Sequence, residues 1–212
     1  MDAKIVDKST NEWNISMKSK KNDPRVIRTK ASLRQALEEL ITEKSFSTLT
    51  IGQITAHAGL DRSTFYLHYS GLHTLLEDCA RELFAEMRTV IYANKTADYH
   101  ANPSVLEPFV ASVFKHLEKH HRFYKTMLGR QGDPYFRTLF QDQISELIFE
   151  PVEMSDSLEQ NTVQYSMTLR FFSAGFAGLA SWWLEKDMPI PLEEASRQIA
   201  MNILPGYLRL IE

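Results

Sequence analysis

A single cysteine, Cys79, occurs among the 212 residues. That excludes an internal disulfide and any zinc cluster built on several thiolates, and it suits a reducing cytosol. Flanked by Leu75, Leu76, Leu83 and Phe84, it reads as an inert buried thiol. Long apolar runs are missing as well. The longest uncharged stretch, FFSAGFAGLASWWL, covers residues 171–184, short of the roughly 20 residues a helix needs to span a bilayer. The opening MDAKIVDKSTNEWNISMKSKKND has no apolar core behind a basic start, so no secretory signal and no membrane partner are expected, and the expected location is the cytoplasm. No run alternates with period two, which points to an all-α protein. Neither a nucleophile turn, a phosphate-binding loop, a dinucleotide glycine pattern nor a metallohydrolase His/Glu spacing occurs, so an enzyme is not expected and no cofactor is required.

Charge is nearly balanced overall, with 24 Lys plus Arg against 27 Asp plus Glu. Its distribution is uneven. Residues 18–70 carry nine basic and five acidic side chains, whereas residues 71–212 carry 13 and 19. The first segment suits an anionic partner and the second does not.

Residues 1–22 are polar without a sustained period and read as a flexible N-terminal arm. Asp23 and Pro24 form a cap and first-turn signature, after which Ile27, Ala31, Leu37, Leu40 and Ile41 recur at helical spacing to about residue 44. Thr50 and Gln53 have the spacing of a capping box, and Ile51, Ile54 and Ala58 form the buried stripe of a second helix. Gly59 ends it, because glycine adopts positive φ cheaply. Asp61 offers a cap oxygen to a third helix, Arg62 to Tyr69. Helix, tight turn, helix is the helix-turn-helix arrangement. These residues, 23–71, are expected to form one helix-turn-helix domain. Residues 72–212 supply a connecting helix, with Leu75, Leu76, Cys79, Leu83, Phe84, Met87 and Ile91 on its apolar side, plus a further helical domain. A polar connection at 94–104 precedes helices expected over 105–121, 122–128 (ending at Gly129), 134–150 (stopped by Pro151), 157–186, and from Pro191 to near Pro205.

In a third helix of eight residues, positions 65 and 69 share a face, so Phe65 and Tyr69 pack inward. Arg62, Ser63, Thr64, Tyr66, Leu67 and His68 then face outward or sideways. The major groove of double-stranded DNA would cover such a surface, since it admits a helix and presents donors and acceptors at base edges. The Arg62 fork matches the guanine N7 and O6 acceptors. Ser63 and Thr64 can bond bases or phosphates, Tyr66 and His68 suit phosphate oxygens, and Leu67 can touch a thymine methyl. Thr50, with the free N–H groups at the start of its helix, makes an anion site, and Gly52 lets a phosphate or base approach the backbone.

The stretch TLTIGQITAHAGLDRSTFYLHYSGLHTLL resembles the DNA-binding domain of the TetR family of bacterial transcriptional regulators (TetR/AcrR type). The correspondence runs from about Arg25 to Leu76 through Phe46, Thr50, Ile54, Ala58, Gly59, Thr64, Phe65, Tyr66, His68 and Tyr69. The resemblance implies a recognition helix carrying Tyr66-Leu67-His68, and an all-helical effector domain whose last two long helices form a dimer interface. One departure stands out: Leu72 occupies the place of a lysine that contacts a phosphate in the family, and His73 is the candidate substitute. Two later segments, FYKTMLGRQGDPYFRTLF and FAGLASWWLEKDMP, resemble a subgroup common in Gram-positive bacteria.

Ala174, Ala177, Gly178 and Ser181 form a strip of small residues flanked by Trp182 and Trp183, which would let a helix of a second copy approach closely. A two-fold dimer predicts a pseudo-palindromic operator. Phe109, Phe114, Phe123, Tyr124, Met127, Phe172 and Phe176 would line a site for a small apolar or aromatic effector, although each also suits a core. His116 and His120, one helical turn apart with His121 beside them, have a metal-compatible spacing but no third ligand nearby in sequence. They read as a solvated helix end, with no metal. The functional expectation is a cytoplasmic, nucleoid-associated, dimeric repressor released by a ligand. The alternative is an activator or coactivator controlled by a partner protein.

Overall fold

The computed structural model describes residues 23–93, 106–130, 132–153 and 163–211. The expected N-terminal arm and the 94–104 connection lie outside them. Among the described residues the fold is all-helical: α1 Pro24–Ile41, a 3-10 turn Phe46–Thr48, α2 Ile51–His57, α3 Arg62–Tyr66, α4 Leu72–Ala93, α5 Leu106–Lys119, α6 His121–Leu128, α7 Pro134–Glu153, α8 Val163–Glu185 and α9 Leu192–Ile211. No helix among the described residues is long and apolar enough to cross a membrane.

Local chemistry accounts for most boundaries. The Asp23 carboxylate accepts from the Arg25 N–H with Pro24 at the first position of α1, where the missing proline N–H costs nothing. Gly129 closes α6, and a side chain there would lie 2.5 Å from the Lys125 carbonyl oxygen. Two boundaries differ from the sequence expectation. α7 continues through position 151 to Glu153, and α9 runs through position 205 to Ile211. A proline removes one intrahelical hydrogen bond, and both helices carry on past that single loss.

α1 and α4 wrap the small N-terminal core, and α1 also rests on α6, so the helix-turn-helix unit touches the larger bundle twice. In α1 the buried residues are Leu33, Ala36, Leu37, Leu40 and Ile41. Ile27 and Ala31, placed on the same stripe by their spacing, stay exposed. The apolar side of α4 is buried as expected, Cys79 included, and burial pushes its thiol well above the ordinary range. Around it α5 packs on α4 and α9, while α8 packs on α6, α7 and α9.

Candidate nucleic-acid interface

The helix-turn-helix is built from two short helices and a turn held by backbone geometry. In α2 the Thr50 hydroxyl accepts from the Gln53 N–H at 3.3 Å and the Gln53 side chain accepts from the Thr50 N–H at 3.0 Å, closing the capping box. Gly59 sits at φ +65, which lets the Leu60 N–H reach the Thr55 carbonyl at 2.8 Å.

α3 is shorter than its sequence suggests. Regular helix covers Arg62–Tyr66, and Leu67 and His68 lie on the turn that follows. Asp61 occupies the cap position without a side-chain cap bond. With a costly nucleus and one uncapped end, so short a helix depends on tertiary anchoring. The Tyr69 N–H still bonds the Phe65 carbonyl at 3.0 Å, so both rings point inward, 0% and 5% exposed.

The anchor is an ionic hub. Asp78 of α4, buried, accepts the Tyr69 hydroxyl at 2.6 Å, Arg34 of α1 at 3.0 Å and Arg81 at 2.7 Å, with the Lys30 ammonium 3.8 Å away. Lys30 also lies 5.2 Å from the Tyr69 ring centroid. Burial by itself would raise the Asp78 pKa, but the Tyr69 and Arg34 hydrogen bonds and the neighbouring cations outweigh it and hold the carboxyl below its ordinary range. The end of the recognition helix is thus tied to α1 and α4 through one carboxylate. The sequence reading missed Asp78. Its signal was an acid set between Leu75, Leu76 and Cys79 on an apolar stripe, together with Lys30 and Arg34 one turn apart on α1.

Of the candidate contacts, Arg62, Ser63, Tyr66 and Leu67 are exposed, Tyr66 at 60% and Leu67 at 79%. Thr50 is exposed, while Thr64 and His68 are half-buried. Partial burial, and then the Lys30 charge, lower the His68 pKa, so at neutral pH it is an uncharged donor and acceptor. Gly52 also sits against Arg62. A side chain there would meet the Arg62 Nη2 at 2.4 Å, so the glycine makes room for the Arg62 guanidinium over the start of α2. His73 makes contacts within the chain. Its Nε2 lies 3.3 Å from the Asp133 carboxylate, and its ring meets Phe46 and Tyr135 at 5.2 and 5.8 Å. It ties the start of α4 to the start of α7, alongside the 2.5 Å bond from the Tyr135 hydroxyl to Glu77.

Comparison with known proteins agrees with this geometry. Residues 105–204 match a family described as a transcriptional regulator C-terminal region of TetR type. A Bacillus subtilis (strain 168) protein named as an uncharacterized HTH-type transcriptional regulator, YxbF, is 35% identical over 71 residues, 33% of this chain and 19% of that protein. The match therefore spans about a fifth of that relative's length. Among solved structures, a TetR transcriptional regulator from Streptococcus agalactiae 2603V superposes with TM-score 0.63 at 20% identity, covering 87% of this chain and 98% of that one. The dihydroxyacetone kinase operon activator DhaS gives 0.56 at 19%, covering 85% and 97%. NalD, a secondary repressor of the MexAB-OprM efflux pump in Pseudomonas aeruginosa, gives 0.59 at 17%, covering 85% and 97%. At these identities the structural likeness establishes the fold.

Over residues 105–204 the chain is that of a TetR-type transcriptional regulator, and its fold is the one those regulators share.

In this TetR-type regulator the expected effector lining is packed core. Phe109, Phe114, Phe123, Tyr124, Met127 and Phe176 are all buried, and Phe172 is half-buried. Phe114 meets Phe176 and Trp183 edge-on at 5.7 and 5.0 Å, and Tyr124 meets Phe140 at 5.8 Å. Rings of this size fill one another's space. Open volume occurs elsewhere: a cavity of about 510 Å³ between α4 and α7 is lined by Phe84 and Arg88 on one side and Leu139, Gln143 and Glu146 on the other.

The small-residue strip divides in two. Ala177 is 3% exposed within its own subunit, and the Ser181 hydroxyl donates to the Leu128 carbonyl at 2.9 Å. Ala174, Gly178 and Trp182 face outward instead, on a side of α8 that also exposes Val163, Met167 and Phe171, the last at 74%.

Proposed function

We propose that this regulator acts as a homodimer on a pseudo-palindromic operator, repressing transcription while bound and leaving the DNA when a small molecule binds. The observation that carries the reading is the bare outer side of α3, where Tyr66 and Leu67 stand in water beside Arg62 while Phe65 and Tyr69 fix the helix from within. Arg62 reads guanine, Leu67 contacts a thymine methyl, and Ser63, Thr64, Tyr66, His68 and Thr50 hold phosphates or base edges. The exposed side of α8 is the dimer surface, with Ala174 and Gly178 allowing close approach beneath Phe171 and Trp182. A two-fold pair sets its recognition helices about 34 to 36 Å apart, one turn of DNA.

Release requires an effector that binds one arrangement of the bundle better than another. The cavity between α4 and α7 supports this mechanism, because α4 begins directly after the DNA-binding unit and carries Asp78. Its lining of arginine, glutamate and glutamine beside Phe84 and Leu139 favours an amphipathic ligand over a purely apolar one. Activation in place of repression is the second reading, favoured by the likeness to DhaS, an operon activator.

Selection of binding sites from random duplexes by the purified protein tests the proposal. It should return one motif with two-fold-related halves, bound by two chains. An unenriched pool, or a motif bound by one chain, would contradict it. A reporter under the selected site should rise on deletion of the regulator if it represses and fall if it activates.

A further inference from the structure

A buried histidine in the effector bundle has a nitrogen with nothing to bond. His116, on α5, is 2% exposed, and its Nδ1 has no hydrogen-bond partner. Its other nitrogen lies 3.0 Å from the hydroxyl of the fully buried Tyr124. In the tautomer with hydrogen on Nε2, that bond leaves the Nδ1 lone pair facing Glu86 of α4, whose Oε1 is 3.8 Å away. His120, one turn along α5, places its Nε2 3.0 Å from Glu86 Oε2. One ligand atom from each of Glu86, His116 and His120 lies within 4.8 Å of the others. An unpartnered polar atom in a protein interior is costly. The third ligand that the sequence did not reveal comes from α4, across the helix interface.

We propose that Glu86, His116 and His120 form a site for one divalent transition-metal ion of the zinc class, with the fourth position open to solvent. Two imidazoles and a carboxylate are a zinc-type donor set. Bonds of about 2.0 Å in a tetrahedron set neighbouring donors about 3.3 Å apart. The Glu86 carboxylate reaches His120 through Oε2 at 3.0 Å and His116 through Oε1 at 3.8 Å, and one donor from each of the three residues lies within 4.8 Å of the others, so the donors must draw together on metal entry. With hydrogen on Nε2 and the Tyr124 hydroxyl accepting it, His116 is oriented by its second nitrogen as metal-binding histidines are. Glu86 and His120 are partly exposed, which leaves an entry path. The groups facing the site are Lys119, whose ammonium lies 2.6 Å from Glu86 Oε1, and the half-buried Glu38 of α1, which interacts electrostatically with His120 and Glu86. Lys119 is mostly in solvent, and on metal entry it swings away from the carboxylate. The site does not depend on the DNA-binding proposal.

Titration of the chelator-treated full-length protein with Co²⁺ tests the site. One ion should bind per chain with the visible absorption of a tetrahedral complex, and Zn²⁺ should abolish that absorption. His120→Ala and Glu86→Gln should each weaken binding by at least about tenfold, whereas His121→Ala, adjacent but outside the cluster, should leave it unchanged. Saturating Zn²⁺ should also raise the melting temperature of the unaltered protein, a readout that needs no variant to fold. Unchanged affinity in both ligand variants, or no melting shift with Zn²⁺, would overturn the proposal.

Discussion

Two surfaces of this regulator leave large apolar side chains in water, and they are built differently. On α3, Tyr66 and Leu67 stand among Arg62, Ser63, Thr64 and His68, so every apolar group has a polar neighbour. On α8, Val163, Met167, Phe171 and Trp182 are exposed along one side with Ala174 and Gly178 between them, and the sequence from 171 to 184 carries no charge. A mixed surface suits a partner that offers hydrogen-bond donors, acceptors and an occasional methyl group. A largely apolar surface suits one of the same kind, which under the proposed dimer a second copy of the chain would supply. The two surfaces also differ in support: α3 hangs on Phe65, Tyr69 and the Asp78 hub, while α8 is embedded between α6, α7 and α9.

The sharpest way to break the comparison is to charge α8. Phe171→Asp combined with Trp182→Asp should shift the protein to monomer in sedimentation and lower operator affinity by roughly a hundredfold or more, since a linked second half-site raises binding by that order. If affinity is unchanged, α8 is not the pairing surface.

Next in size is the hub. Asp78→Ala removes a buried carboxylate from two arginines and a tyrosine and should cost about 3 kcal/mol in chemical denaturation. It should also weaken binding to all DNA sequences together, because α3 loses its anchor. The hub has a pH signature. The Asp78 pKa is lower folded than its ordinary value of 3.8, so its stabilisation is fully present above about pH 4 and is lost as pH falls through the folded pKa. Asp78→Asn should therefore flatten the acid limb of stability and leave its shape at neutral pH unchanged.

Smaller effects fall on α3 itself. Arg62→Ala should cost about 1 to 3 kcal/mol at a single base pair in each half-site. Gly52→Ala should displace the Arg62 guanidinium and reproduce part of that loss with little change in stability, since the atom it meets ends a flexible side chain. Tyr66→Phe, measured by the same titrations, should cost about 1 kcal/mol uniformly across sequences, as expected for a phosphate contact.

How far the sequence could be read follows from whether a contact is local. The capping box at Thr50, the turn at Gly59 and the inward pair Phe65 and Tyr69 depend on residues a few positions apart, and each is present in the fold. The apolar stripe of α4 was legible for the same reason. Contacts between distant segments were not. His73 faces Asp133 sixty residues away, Arg62 occupies the space above Gly52, and Asp78 gathers partners from α1 and α3. His116 and His120 looked like a solvated pair until α4 brought Glu86 beside them. The aromatic residues expected around an effector are buried against one another, and spacing along one helix cannot distinguish a ligand from a neighbouring ring.

The most direct test of the DNA-facing role of α3 is a side-by-side affinity series for the unaltered protein and Arg62→Ala on the selected duplex and its single-base variants. The account predicts that the unaltered protein discriminates at one position of each half-site where Arg62→Ala binds all four bases alike, with preferences elsewhere preserved. Equal discrimination by the two proteins at every position would contradict it.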